Sequence, residues 1–227
     1  MIIIETRAVG PFFKNGFVVA CPRTREGILI DPGDEVDGLL TFATRERITL
    51  SRILLTHAHV DHITGVGAAK RALQVPVHLH RGDSFLYERA VQQGEMFGLR
   101  VDPPPPVDQF YAAGEIIPFG DYDVRPLHTP GHCPGGVCLA IEQATGAGRA
   151  GEAGRAGRTP PDLFVGDTLF AGSIGRTDLP GGDYATLIAS IRTVLFGFDD
   201  AARVFPGHGP STTIGHERRT NPFLTTT

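Results

Sequence analysis

Apolar positions along this chain recur with two periods. Short apolar blocks bounded by Gly, Pro, Asp or Asn predict strands over residues 2–9, 16–21, 27–30, 48–55 and 75–79. A second group of such blocks covers 115–119, 122–128, 136–141, 163–165 and 204–205. The polar stretch 21–27 reads as the turn of a hairpin. Helical spacing appears between the blocks. Leu39, Leu40 and Ala43 predict a helix running to about Arg45, with Asp34 as its N-cap. Ile63, Val66 and Ala69 predict one over 61–73, and a further helix is expected over 82–97 with Asp83 as its cap. Leu187, Ile191, Val194 and Leu195 share one face of a helix over 183–196, and a last helical turn is expected within 216–224. The four prolines Pro103 to Pro106 exclude helix and read as an extended connector. A hairpin region, then β-α-β alternation, then a second and partly antiparallel group of strands is a mixed α/β pattern.

Composition narrows the classes. With 41% hydrophobic residues in 227, one large core is attainable, and a single domain over 1–227 is expected. Gln143 to Pro161 interrupts it with GRAGEAGRAGR, which has almost nothing to bury and reads as a solvated insertion, mobile at its tip. Its arginines are diluted by Glu152 and lack interleaved aromatics, and the net charge is −4, so no nucleic-acid partner is expected. The N-terminal MIIIETRAVG lacks the basic start and long apolar core of an export signal, and no apolar run approaches the ~18–20 residues that span a bilayer. Three cysteines, an odd number in a long chain, fit a reducing cytoplasm. Cys21 and Cys138 fall in apolar strands and read as small core residues, whereas Cys133 adjoins a candidate ligand.

The chemistry concentrates in Thr56 to Gly65, THAHVDHITG, which holds His57, His59, Asp61 and His62 directly after a buried strand. Alternation in an extended segment would put His57, His59 and Asp61 on one side. Imidazoles and a carboxylate without cysteine suit zinc first, with iron or manganese as alternatives. Three further donors follow apolar strands and are flanked by glycine: His132 in Pro-Gly-His, Asp167 in Gly-Asp, and His208 in Pro-Gly-His-Gly. Asp31, at the end of an early strand, is placed to orient a ligand histidine. His78, His80 and His128 read as strand-edge or structural groups.

THAHVDH, Pro-Gly-His, Gly-Asp and Pro-Gly-His-Gly, in that order, resemble the metallo-β-lactamase-fold superfamily. The resemblance implies a four-layer αββα sandwich, two mixed β-sheets face to face with helices outside. It also implies two divalent metal ions. One would take His57, His59, His132 and Asp167; the other would take Asp61, His62, His208 and again Asp167. A hydroxide bridging the two would be the nucleophile, with Asp61 and Asp167 the carboxylates closest to the chemistry. Gly166 to Asp178 (GDTLFAGSIGRTD), then LPGGD, TTIG and NPFL, look like a short bacterial branch of glyoxalase II-like hydrolases. The implied reaction is hydrolysis of a glutathione thioester such as S-lactoylglutathione. Two-domain glyoxalase II enzymes add a C-terminal helical substrate domain, for which the residues after His208 leave no room. Substrate contacts are therefore expected from Arg176, Tyr184, His216, Arg218 and Arg219. A persulfide dioxygenase with one iron is the alternative of the same fold. It shares Gly-Arg-Thr-Asp, but resembles Phe-Gln where this chain has Leu179-Pro180, and His-Asp-Tyr where this chain has His208-Gly209-Pro210. A lactonase would need the same hydroxide.

Overall fold

The computed structural model describes residues 1–34, 36–144 and 159–225. Strands β1 (Ile3–Val9) and β2 (Lys14–Ala20) form an antiparallel hairpin, and β3 (Glu26–Ile30) returns beside β2. Helix α1 (Val36–Arg45) then crosses to β4 (Thr49–Leu54), which lies parallel to β3. Helices α2 (Val60–Ile63) and α3 (Val66–Leu73) lead to β5 (Val77–Leu79). Helices α4 (Ser84–Glu88) and α5 (Ala90–Met96) precede β6 (Gln109–Phe110). These six strands make one sheet in sequence order, antiparallel at its start and parallel from β3 onward.

The second sheet begins with β7 (Ile117–Phe119), β8 (Tyr122–His128), β9 (Val137–Gln143) and β10 (Asp162–Gly166). A small hairpin of β11 (Leu169–Phe170) and β12 (Ser173–Ile174) follows. Helix α6 (Tyr184–Thr193) leads to β13 (Arg203–Pro206), β14 (Thr212–Thr213) and α7 (Ile214–Thr220). The sheet order is β14-β13-β10-β9-β8-β7, parallel only between β10 and β13.

Period-two alternation with apolar residues on both faces produces the layers. Phe17, Val19, Ile28 and Ile30 of the first sheet meet Val137, Leu139, Ile141 and Phe164 of the second in the inner core. The intervening Val18, Ala20 and Leu29 face α1 and α3, packing on Leu39, Phe42, Val66 and Ala69. On the far side, Cys138, Ala140, Leu163 and Val165 pack on Leu187 and Ile191 of α6 and Ile214 of α7. The result is the expected four-layer αββα sandwich. No helix among the described residues is long and apolar enough to cross a membrane.

Three sequence expectations change. The helix expected over 61–73 is two helices, because the Gly65 N–H leaves the helical ladder to donate to the Pro32 carbonyl at 2.9 Å, an approach so close that a Cβ at Gly65 would strike the carbonyl oxygens of Pro32 and Gly33. The stretch 82–97 is a 3-10 turn followed by α4 and α5, and Asp83 makes no capping bond there. His78, expected at a strand edge, is buried with its ring stacked on Tyr111. Most of the Gly/Ala/Arg insertion expected at 143–161 lies outside the described residues.

Candidate metal centre

The donors come together at one rim of the sandwich, where strands end. His57 and His59 follow β4, Asp61 and His62 lie in α2, Asp167 follows β10, and His208 follows β13. His132 stands in the loop joining β8 and β9. His57, His59 and Asp61 are not one extended face, since α2 already contains Asp61. Two glycines let these loops close up. Gly166 adopts φ 50°, and a Cβ there would strike the Thr56 hydroxyl. A Cβ at Gly207 would strike Asp167 and His62.

Two trios share the site. Donor atoms of His57, His59 and His132 lie within 4.8 Å of one another, as do those of Asp61, His62 and His208. Asp167 stands between them: Oδ1 is 3.4 Å from His62 Nε2, and Oδ2 is 3.7 Å from His132 Nε2 and 3.4 Å from His208 Nε2. Asp61 Oδ2 is 3.1 Å from His208 Nε2, and His59 Nδ1 is 2.7 Å from His132 Nε2. His57 Nε2, His62 Nε2 and Asp167 Oδ1 are buried and have no hydrogen-bond partner. Buried polar atoms without partners are costly. Imidazole and carboxylate donors orphaned at one spot fit divalent cations.

The surroundings fix which nitrogen faces inward. Asp31 Oδ2 accepts from His62 Nδ1 at 2.9 Å, the Arg176 carbonyl from His132 Nδ1 at 2.8 Å, and the Phe12 carbonyl from His208 Nδ1 at 3.0 Å. The Thr56 hydroxyl donates to Asp31 Oδ2 at 2.6 Å, which leaves its lone pair for His57 Nδ1 at 3.1 Å. With Nδ1 protonated in each ring, Nε2 presents a lone pair to the cluster. Asp31 thus takes the orienting place expected of it, and the buried Lys14 ammonium donates to its carbonyl.

Charge divides the cluster. Burial, helped by His62 and His132, pushes His57 well below the usual imidazole range; burial and His132 push His59 to about 3. Burial also opposes charge on His62, but Asp61, Asp167 and Asp31 outweigh it and raise it to about 9. His208 is likewise raised, against burial, to about 10 by Asp167 and Asp61. The same histidines hold Asp167 well below the carboxylate range despite its burial.

One supporting residue has no local signal. Asp83 is fully buried, and its Oδ2 accepts from Ala58 N at 3.0 Å and Cys133 Sγ at 3.1 Å, while Oδ1 accepts from Gly135 N at 2.5 Å. It ties the loop of His57 and His59 to the loop of His132. Cys133 is consequently buried behind the site rather than lining it, and burial beside Asp83 pushes its thiol well up.

A cavity of about 600 Å³ opens over the donors. Of the residues expected to contact substrate, Arg176 lines it, with its guanidinium held by Asp178 at 2.7 Å through both nitrogens. Tyr184, His216, Arg218 and Arg219 are not on its wall. Tyr184 is exposed at the start of α6. Arg218 and Arg219 bind Asp200, and Arg218 also donates to the Phe196 and Phe198 carbonyls, fastening α7 to the preceding turn. His216 is exposed on α7.

The family model of the metallo-beta-lactamase superfamily matches residues 9–208. The hydroxyacylglutathione hydrolase GloC of Haemophilus influenzae is 37% identical over 202 residues, 88% of each chain. The crystal structure of TTHA1623 in a di-iron-bound form superposes with a TM-score of 0.80 at 40% identity, covering 97% of this chain and all of that one. The crystal structure of BLEG-1 B3 metallo-beta-lactamase gives a TM-score of 0.84 at 34% identity, covering 99% of this chain and 100% of the other.

Proposed function

The chain belongs to the metallo-beta-lactamase superfamily, and from that premise we propose that it is a two-metal hydrolase of thioesters. The proposed substrate is a glutathione thioester such as S-lactoylglutathione. One observation carries the reading: the orphaned, buried nitrogen and carboxylate atoms of His57, His62 and Asp167 converge with the remaining donors. His57, His59 and His132 would hold one cation, Asp61, His62 and His208 the other, and Asp167 both. When bound, a pair of divalent cations, zinc first and iron or manganese as alternatives, supplies Lewis acidity that acidifies water and polarises a carbonyl.

This chain's own residues set the conditions for that chemistry. Asp31, Thr56 and the carbonyls of Phe12 and Arg176 keep ligand lone pairs aimed inward. Asp61, 3.1 Å from His208 and on the cavity wall, is positioned to hold a proton released from attacking water. The apolar wall formed by Phe85, Phe97, Phe170 and Leu179 limits bulk water around the carbonyl. In balance, water oxygen joins the acyl carbon, the carbon–sulfur bond breaks, and a proton ends on sulfur. The products are a carboxylic acid and a free thiol. Likeness to GloC supports this substrate class.

Likeness to BLEG-1 supports a second reading, β-lactam hydrolysis at the same site. The test is one metal-loaded preparation assayed with S-lactoylglutathione and with a chromogenic cephalosporin. Thioester turnover that chelation abolishes and metal restores supports the proposal. Cephalosporin turnover without thioester turnover would replace it with the second reading.

A further inference from the structure

Another part of the cavity wall is built differently from the donor rim. It draws Phe85, Leu86, Met96 and Phe97 from the α4–α5 segment, and Phe12 from the β1–β2 turn. Phe12 and Phe97 meet edge to face across it, with ring centroids 5.4 Å apart. Met96 and Phe97 are 69% and 43% exposed, a high value for such side chains unless something covers them. Polar groups on this wall are few, and their partners separate them. The Gln93 amide donates to the carbonyls of Ala58 and Leu86, so it is engaged in holding the loop. The Arg176 charge is matched by Asp178. Arg89 lies on the same wall, and among the described residues its guanidinium has neither an acid partner nor a hydrogen bond.

We propose that this wall selects an amphipathic thioester, with a carboxylate of the thiol carrier on Arg89 and an apolar acyl arm against Phe12, Met96 and Phe97. The inference rests on the thioester-hydrolase reading and narrows it. A small hydroxylated acyl group such as lactoyl would leave the aromatic wall wet. An acyl chain of several carbons would cover it, each buried methylene adding favourably to binding. A guanidinium presents a fork that matches a carboxylate in two bonds, and one without an internal acid is free to do so. An amphipathic substrate would thus be held at both ends while its carbonyl reaches the donor cluster.

Four substrates test this on the metal-loaded enzyme: lactoyl and hexanoyl thioesters, each of glutathione and of N-acetylcysteamine, which lacks carboxylates. The expected wild-type pattern is about a tenfold or greater preference in kcat/KM for hexanoyl over lactoyl, and for glutathione over N-acetylcysteamine. Arg89→Ala should collapse the carrier preference, mainly through KM, and keep the acyl preference. Phe97→Ala should do the reverse. Arg89→Lys should recover part of the carrier preference. Turnover with a carrier ratio unmoved by Arg89→Ala, or with lactoyl preferred, overturns this inference and leaves the hydrolase reading standing. No turnover of any of the four by an enzyme with its metals bound overturns both.

Discussion

The donor rim and the α4–α5 wall border the same cavity but are made by opposite rules. At the rim, the donors lie at or soon after strand ends, glycines precede His132, Asp167 and His208, and a hydrogen-bonding partner fixes the rings of His57, His62, His132 and His208. On the wall, the residues sit on short helices and make few directional bonds. The rim is over-determined and the wall is under-determined. Reaction type is thereby tied to a rigid frame, while substrate choice rests on side chains that can change without disturbing it.

The comparison breaks most easily at Asp167. Asp167→Ala removes the donor between the two trios. We expect both metals to be lost on dialysis and kcat/KM to fall by more than the ~100-fold seen for outer-shell partners. Metal analysis of the dialysed variant checks it, and two retained metals would refute the shared role.

Asp83→Asn is the next test. With its oxygen in the Oδ2 position an amide keeps the bonds from Ala58 and Cys133, but its NH₂ then opposes the Gly135 N–H donor. The expected result is metal affinity lowered by about 10–100-fold, measured by competition with a chromogenic chelator. The Cys133 thiol should also become more reactive toward a disulfide reagent. Unchanged affinity with unchanged thiol reactivity would show that the two loops hold together without Asp83.

Arg219→Ala should do least. Its pair with Asp200 is exposed and off the cavity, so stability should change by about 0–1 kcal/mol in chemical denaturation. KM for a glutathione thioester should stay within about twofold, set beside the larger shift expected at Arg89. A KM rise as large as that of Arg89→Ala would return α7 to the substrate site.

What could be read from the chain follows the same division. The strands were legible because Val18 and Val19, or Cys138 and Leu139, are apolar on both faces of buried sheets. The donors were legible because THAHVDH packs chemistry into a few positions. The break between α2 and α3 was not, because its cause is the backbone of Gly33 and Pro32, remote in sequence. Asp83 looked like a cap because a local motif cannot show bonds to Ala58 and Gly135. The carbonyls of Phe12 and Arg176, which orient His208 and His132, have no residue-type signature at all. Arg218 and Arg219 looked like free cations because Asp200, their partner, is distant in the chain. Arg89 carried no signal because nothing beside it in sequence marks a helix position as a cavity wall.

The central claim is that the donors form one shared site for two cations. Native mass spectrometry of the metal-stripped chain titrated with zinc tests it most directly. The account predicts saturation at two zinc ions per chain, with neither retained at that stoichiometry when Asp167 is replaced by alanine. Saturation at one ion per chain, in wild type and variant alike, would contradict it.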